Sequence, residues 1–298
     1  MTKLKQYEDE FIDIRAYFKL KREERGYTYG DVAGDYLHRT QIARFEKGEH
    51  AFSADALLLA IRGLNMTPHE FFALMPKENF NKIHEFRDQL FELASLKKTE
   101  KMKMLLKKRA KSKIDRIKNV MLKITIYQVC GEDLITSSDC AFIITYLENI
   151  KQWTKFEVHI FDFCLTTLAD EDIYELGMDM LKSNELSQLI TSHRVLVKRT
   201  MLHLFANLVY RNRYSYARHM AMEIEKMISD EDMEAEIVLS LFSRLARFKQ
   251  ERNLVVYGEL LQDIAVLKKL GVTALVDELT YHMTKFCSDE GISVSDDT

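Results

Sequence analysis

Apolar residues recur every three or four positions along most of this chain, which is the spacing of one buried face of an α-helix. In the first 75 residues the pattern predicts five short helices, which together are enough for a compact domain. Helix-starting residues and glycines at the ends set their limits. The helices are expected over about 8–24, 28–37, 39–47, 53–64 and from Thr67 onward.

The helical pattern continues to the end of the chain with few interruptions. A polar, Lys-rich stretch covers 76–118, and nine further helical segments follow between 119 and 287. Short polar links between them predict antiparallel neighbours. Pairs recur at about 35–40 residues, near the period of tetratricopeptide-like arrays, and a general helical bundle remains the alternative. The polar, acidic segment 288–298 is expected to be disordered.

Composition agrees with an all-α fold. Only 2 prolines and 10 glycines occur in 298 residues, and 47% of the residues are hydrophobic. The net charge of −3 conceals an uneven distribution, because 97–118 holds eleven basic and two acidic side chains. Residues 119–298 hold eighteen basic against 28 acidic side chains. The basic segment is a candidate phosphate-binding surface, or only the solvated face of a linker.

Several classes of protein are disfavoured. No apolar run is long enough to span a membrane, and the amino terminus lacks the hydrophobic stretch of a signal peptide. Four dispersed cysteines without a C-x-x-C pair fit reduced thiols, so a cytoplasmic location is expected. Phosphate-binding loops, G-x-G-x-x-G and H-E-x-x-H are missing from the sequence. We therefore predict no catalytic residue, no metal site and no cofactor.

Residues 27–49 form the motif that carries the functional prediction. Two short amphipathic segments follow each other, as in a helix-turn-helix, and the second has two dissimilar sides. Ile42 and Phe45 fall on the inner side. The outer side, which would enter the major groove of DNA, carries Arg39, Thr40, Gln41 and Arg44.

Each polar residue of this motif can be given a role on duplex DNA. Gln41 can contact adenine, Arg39 or Arg44 can contact guanine, and Thr40 can reach a base or phosphate. The flanking residues Thr28, Tyr29, Lys47 and His50 could hold the phosphate backbone. The alternative for all of them is an ordinary solvated surface. Glu46 is expected to pair with an arginine of its own domain instead of reading a base.

The motif resembles a known family. Residues 8–75 look like the Xre/Cro-type helix-turn-helix domain, and 37–49, LHRTQIARFEKGE, resembles the LSKSQISRFERGE stretch of the Rgg/GadR/MutR regulators of Gram-positive bacteria. The stretch from Ile150 to Phe161 also resembles that family's I-x-x-W-x-x-Y-E-L-x-x-F pattern. His38 replaces the usual serine, which predicts a weaker helix cap.

The resemblance implies a homodimeric transcription factor. Its tetratricopeptide-like domain would bind a short peptide pheromone and thereby change binding to an inverted-repeat operator, or recruitment of RNA polymerase. The implied organisation is a DNA-binding domain (1–75), a basic helical linker (76–118), a ligand-binding and dimerisation domain (119–287) and a tail (288–298). Near Phe163 many relatives carry asparagine, a residue suited to holding a peptide backbone, whereas this chain has none there.

Candidate peptide-binding residues are the polar groups on otherwise apolar helices. They are His203, Asn207, Tyr210, Arg244, Arg247 and Tyr281, and hydrogen bonds between helices are the alternative role for each. Three other functions remain open. The same architecture could sense pH or a small metabolite, the chain could be an enzyme, or the amino-terminal domain could bind a protein instead of DNA.

Overall fold

The structure, a computed structural model, describes residues 13–73, 82–183, 185–229 and 232–292. Within these ranges it contains seventeen helices and no strand, so the predicted all-α fold is confirmed. The chain divides into two compact units between Gln89 and Leu90. The predicted first turn of the first helix, the start of the predicted linker and most of the predicted tail lie outside the described residues.

The first unit begins with the five helices that the hydrophobic pattern predicts. They are α1 (Ile14–Glu24), α2 (Tyr29–Ala33), α3 (Arg39–Glu46), α4 (Ala54–Gly63) and α5 (Pro68–Ala73). Their apolar faces meet in one core, in which Phe18, Ile42 and Ile61 are fully buried. The rings of Phe45 and Phe52 stack with centroids 4.0 Å apart. The α3 face that was predicted to point inward therefore does so.

Two glycines fix local geometry in this unit. Gly48, just after α3, has a φ of 75°, so it is the left-handed residue that the sequence predicted there. Gly63 lies where α4 meets α2, and a Cβ at this position would stand 2.0 Å from the Val32 carbonyl oxygen. Only glycine lets these two helices approach this closely.

The helix α6 (Lys82–Ser95) contains the boundary between the units. The second unit continues with α7 (Thr99–Leu105), α8 (Lys113–Cys130), α9 (Ser137–Glu148), α10 (Lys155–Cys164), α11 (Asp170–Lys182), α12 (Glu185–Leu189), α13 (Thr191–Tyr210), α14 (Tyr214–Glu225), α15 (Met233–Glu251), α16 (Leu254–Lys269) and α17 (Thr273–Asp289). Consecutive helices are joined by short links, as the sequence predicted. The stretch expected as one helix over 186–212 is instead α12 and α13, separated at Ile190.

The helix α13 is the centre of the second unit. It packs against α10, α11, α12, α14 and α15, and most of its apolar residues are buried, whereas Val195, Arg199 and His203 form an exposed stripe. Its first turn is fixed by His193, which is 1% exposed. The Nε2 of His193 lies 2.9 Å from the Trp153 carbonyl oxygen, and its Nδ1 lies 2.9 Å from the Ser187 hydroxyl.

The basic segment that was predicted as a linker is structurally continuous with the second unit. Met102 of α7 is fully buried, and α7 packs against α8. The Asn119 side chain brackets the Lys107 backbone, accepting from its N–H at 3.0 Å and donating to its carbonyl at 2.8 Å. Basic residues of this stretch therefore lie on helices that pack against each other.

Among the described helices, none is long and apolar enough to cross a membrane.

Candidate nucleic-acid and ligand sites

The outer side of α3 is a polar, exposed surface. Arg39, Thr40, Gln41 and Arg44 are all exposed, whereas Ile42 and Phe45 on the other side are buried. One eight-residue helix thus presents two cations and two hydrogen-bonding side chains together. This is the set of groups that base-edge recognition in a major groove requires.

The start of α3 is held by a reciprocal pair of hydrogen bonds. The His38 Nδ1 accepts from the Thr40 backbone N–H at 3.4 Å and lies 2.8 Å from the Thr40 hydroxyl. In return the Gln41 Oε1 accepts from the His38 backbone N–H at 2.7 Å. His38 therefore caps the helix even though it replaces the usual serine. This bond uses one lone pair of the Gln41 oxygen, so the NH₂ group and the second lone pair remain for a contact with DNA.

A buried ion pair fixes α3 against α1. The Arg22 guanidinium meets the Glu46 carboxylate through two hydrogen bonds, of 2.6 and 2.7 Å, and also donates to the Tyr27 carbonyl at 2.8 Å. The Glu46 side chain is 2% exposed. The expected internal role of Glu46 is therefore confirmed, and its pairing helps to hold the outer side of α3 toward solvent.

The residues predicted to hold phosphate have different surroundings. The Thr28 hydroxyl and backbone N–H both donate to the Asp31 carboxylate, at 2.6 and 2.7 Å, and these bonds lower the pKa of Asp31. A phosphate at Thr28 would have to displace that carboxylate. Tyr29 is half-buried beneath the Arg22 guanidinium. Lys47 and His50 are exposed at the end of α3, where a flanking phosphate could reach them.

A cavity of about 640 Å³ lies in the second unit. Its walls come from α10, α13, α15 and α17 and from the end of α16. Most of the lining is apolar, including Leu165, Leu202, Ala206, Ile237, Val238, Phe242, Leu267 and Leu275. Met233 and Val272, which are 69% and 39% exposed, also line it. It is therefore an open, largely apolar pocket of a size suited to several side chains of a ligand.

Two of the six predicted peptide-binding residues line this cavity. His203 and Asn207 face it from α13, one helical turn apart. The Asn207 amide donates to the His203 carbonyl at 2.9 Å, which leaves its own oxygen available to a ligand. His203 lies with its Nδ1 2.7 Å from the Asp162 carboxylate. His203 and Asn207 thus lie on one face of α13, as their spacing of four residues predicted.

Tyr210 reaches the same region indirectly. Its hydroxyl donates to the Glu278 carboxylate, a cavity-lining group, at 2.9 Å. Its ring stacks on His282 with centroids 3.4 Å apart, and burial raises its pKa far above the usual range. Tyr281 is 60% exposed and contacts His282 edge-on, and it does not line the cavity.

Arg244 and Arg247 lie on the other side of α15. They line a groove of about 520 Å³ together with Glu225, Ser240 and Ser243. Arg244 is paired with Asp263, and Arg247 lies 3.1 Å from Glu251. The predicted set is thus divided between two surfaces, so it cannot contact one small ligand together.

Three carboxylates of the cavity were missed by the sequence reasoning. They are Asp162 on α10, Glu234 on α15 and Glu278 on α17. They are far apart in sequence, and each stands among other acidic residues of an acidic domain. The signal that could have found Glu234 is its place in the first turn of a helix, beside an exposed methionine.

Comparisons with known proteins decide the family. The family model for the C-terminal domain of the HTH-type transcriptional regulator Rgg matches residues 99–280, more than half of the chain. The chain belongs to the Rgg family. The resemblance inferred from the sequence is confirmed, and the family is one of transcriptional regulators.

Solved structures have the same fold over most of the chain. The SHP pheromone receptor Rgg2 of Streptococcus dysgalactiae has a TM-score of 0.79 at 19% identity, covering 91% of this chain and 99% of Rgg2. A protein of Listeria monocytogenes EGD-e described as a transcriptional regulator has 0.76 at 20%, covering 94% and 99%. PrgX, in its complex with iCF10, has 0.69 at 12%, covering 95% and 92%.

Proposed function

We propose that this Rgg-family chain is a sequence-specific DNA-binding transcriptional regulator whose activity is controlled by a short peptide. The observation that carries the proposal is that each unit has its own candidate binding surface. One is the exposed side of α3, with two arginines and two hydrogen-bonding residues. The other is the apolar cavity of the second unit.

The peptide is supported by the shape and chemistry of the cavity. Its apolar walls can take side chains, and the Asn207 amide oxygen can accept a backbone N–H of an extended ligand. Among the similar structures, Rgg2 is a pheromone receptor and PrgX was solved with iCF10. Homodimerisation, an inverted-repeat operator and contact with RNA polymerase are further parts of the proposal.

The DNA-binding part is tested by selection. Purified full-length protein is incubated with a pool of random duplexes, and the retained sequences are read. We expect an inverted repeat with half-sites about one helical turn apart. Affinity for it should fall steeply with salt concentration. A protein that retains no duplex at low salt, with or without peptides, would contradict this part.

A further inference from the structure

The charged groups of the cavity in the second unit all have one sign. Asp162, Glu234 and Glu278 come from three different helices, and each contributes a carboxylate to the lining. No lysine or arginine is found among the described lining residues. The cavity therefore combines apolar walls with an anionic rim.

The three carboxylates differ in whether a neighbouring side chain already pairs with them. Asp162 lies against His203, and Glu278 accepts from the Tyr210 hydroxyl, a neutral donor. Within the described part of the chain, Glu234 has no basic side chain within ion-pair distance. It lies in the first turn of α15. Two negative charges, those of Glu234 and Glu278, thus face the cavity without a cationic partner.

Nearby cations do not neutralise this rim. Lys249 is buried and donates to the Val209 and Tyr210 carbonyl oxygens, at 3.1 and 3.2 Å. It does not line the cavity. The two arginines of α15 face the groove on the other side of that helix, where they pair with Asp263 and Glu251. A ligand that carries a positive charge would therefore supply the missing partner.

We infer that the cavity selects an apolar peptide with a cationic end, whose free α-ammonium group lies between Glu234 and Glu278. Apolar side chains following that end would fill the pocket around Phe242, Ile237 and Leu202. The inference rests on the proposed peptide-controlled function and adds the charge class of the peptide. Ammonium-to-carboxylate hydrogen bonds in a partly apolar site are among the stronger polar contacts that proteins make.

The test uses one peptide pool in three forms. Heptapeptides randomised over Val, Ile, Leu and Phe are made as carboxy-terminal amides with a free, acetylated or succinylated amino terminus. The full-length protein is incubated with the pools, and retained peptides are counted by mass spectrometry. We expect the free-amine form to be retained about tenfold or more over the acetylated form, the usual effect of one charge-assisted contact. The succinylated form should be retained least.

Matched variants test whether the carboxylates of the cavity cause the preference for the free amine. In Glu234→Gln/Glu278→Gln the preference for the free amine should fall to within about twofold, with the acetylated form still retained. Glu236→Gln is the control, because Glu236 is two residues along α15 but lines the other groove. It should leave the preference unchanged. Raising the salt concentration from about 0.05 to 0.5 M should weaken the preference in the wild-type protein.

The outcomes separate the inference from the proposal beneath it. If no form of the pool is retained, peptide control itself is contradicted and the inference falls with it. If all three forms are retained equally, or the succinylated form most, the peptide proposal stands and the cationic-end inference is overturned. An unchanged preference in the double variant would also overturn it, because the charge would then be recognised elsewhere.

Discussion

The two proposed binding surfaces are built in contrasting ways. The outer side of α3 is a run of polar residues on one eight-residue helix, and its cations project from the surface. The cavity of the second unit takes its lining from residues between 162 and 278, and its unpaired charges are negative. Local surfaces can be recognised as a motif, whereas a cavity depends on how distant helices pack. The two surfaces should therefore respond to different kinds of mutation.

The two surfaces are also stabilised by different kinds of interaction. The outer side of α3 depends on a buried ion pair and a small aromatic core, through which Glu46 and Phe45 of α3 contact Arg22 and Phe18 of α1. The cavity depends on α13, whose apolar residues are mostly buried and pack against several other helices. A small domain that depends on a buried ion pair is easier to disable by a single change than a helix held by many apolar contacts.

Breaking that ion pair should have the largest effect. Glu46→Ala leaves the Arg22 guanidinium buried without its carboxylate, and loss of one partner of a buried pair costs about 3–5 kcal/mol. We expect the free energy of opening of the first unit, measured by amide hydrogen exchange, to fall by that amount. DNA binding should be lost, while peptide retention by the second unit stays within about twofold.

Glu23→Ala is the matched control for this change. Glu23 also contacts Arg22, at 3.4 Å, but its side chain is 52% exposed. Exposed pairs contribute about 0–1 kcal/mol, so this variant should bind DNA almost as the wild type does. A loss with Glu46→Ala no larger than that of the control would show that the pair does not anchor α3.

One glycine in each unit tests how tolerant its packing is. A Cβ at Gly63 would stand 2.0 Å from a backbone oxygen, whereas a Cβ at Gly177 would stand 2.4 Å from the Leu204 Cδ2 atom. A side-chain terminus can rotate away, but a helix backbone cannot. We expect Gly63→Ala to cost about 3 kcal/mol and Gly177→Ala about 1 kcal/mol, the two ends of the usual range for overpacking. Hydrogen exchange in each unit measures both, and the reverse order would contradict the packing described here.

Substitutions of Gln41 separate structure from DNA recognition. Gln41→Ala removes both the hydrogen bond to the His38 backbone and any contact with a base. Gln41→Glu keeps a carbonyl-type acceptor for that backbone N–H but has no NH₂ donor. Both variants should weaken binding to the selected duplex by about 1–3 kcal/mol. Only Gln41→Ala should also destabilise the first unit, by about 1 kcal/mol.

Lys47→Ala is the control for sequence specificity. As a predicted phosphate contact, Lys47 should affect all duplexes alike, whereas Gln41 should affect mainly the selected one. Equal losses on selected and random duplexes in the Gln41 variants would contradict a role in reading bases. Equal stability of Gln41→Ala and Gln41→Glu would contradict the capping role.

The sequence was most informative where structure is local. The five helices of the first unit and the inward side of α3 could be predicted, because residues three or four apart decide them. The internal pairing of Glu46 was also predicted, although its partner Arg22 lies 24 residues away. The capping role of Gln41 was missed, although glutamine three residues after a cap is a recognised pattern. The motif directed attention to DNA, and the same side chain serves the helix start.

The cavity was predicted only in part, for a physical reason. Spacing placed His203 and Asn207 on one side of α13, and both line the cavity. Spacing could not show which side of α15 faces α13, so Arg244 and Arg247 were grouped with them although they face away. The carboxylates of three separate helices converge only through tertiary packing, and no local pattern encodes that convergence.

The smallest expected effect concerns pH and the second unit. Burial lowers the pKa of His193, which is neutral between the Trp153 carbonyl and the Ser187 hydroxyl. At neutral pH neither the folded nor the unfolded protein binds a proton there. As pH falls through the unfolded value of about 6.5, the unfolded chain takes up a proton that the folded protein does not, so stability decreases.

The decrease amounts to about 1.4 kcal/mol for each unit by which the two pKa values differ. Urea unfolding of the second unit between pH 5 and 8 measures it, with His193→Gln as the matched variant because an amide cannot titrate. The pKa of His282 is also lowered by burial, so part of the slope should persist in that variant and disappear in His193→Gln/His282→Gln. A stability that rises on acidification would mean that these imidazoles are charged in the folded protein, which their burial does not favour.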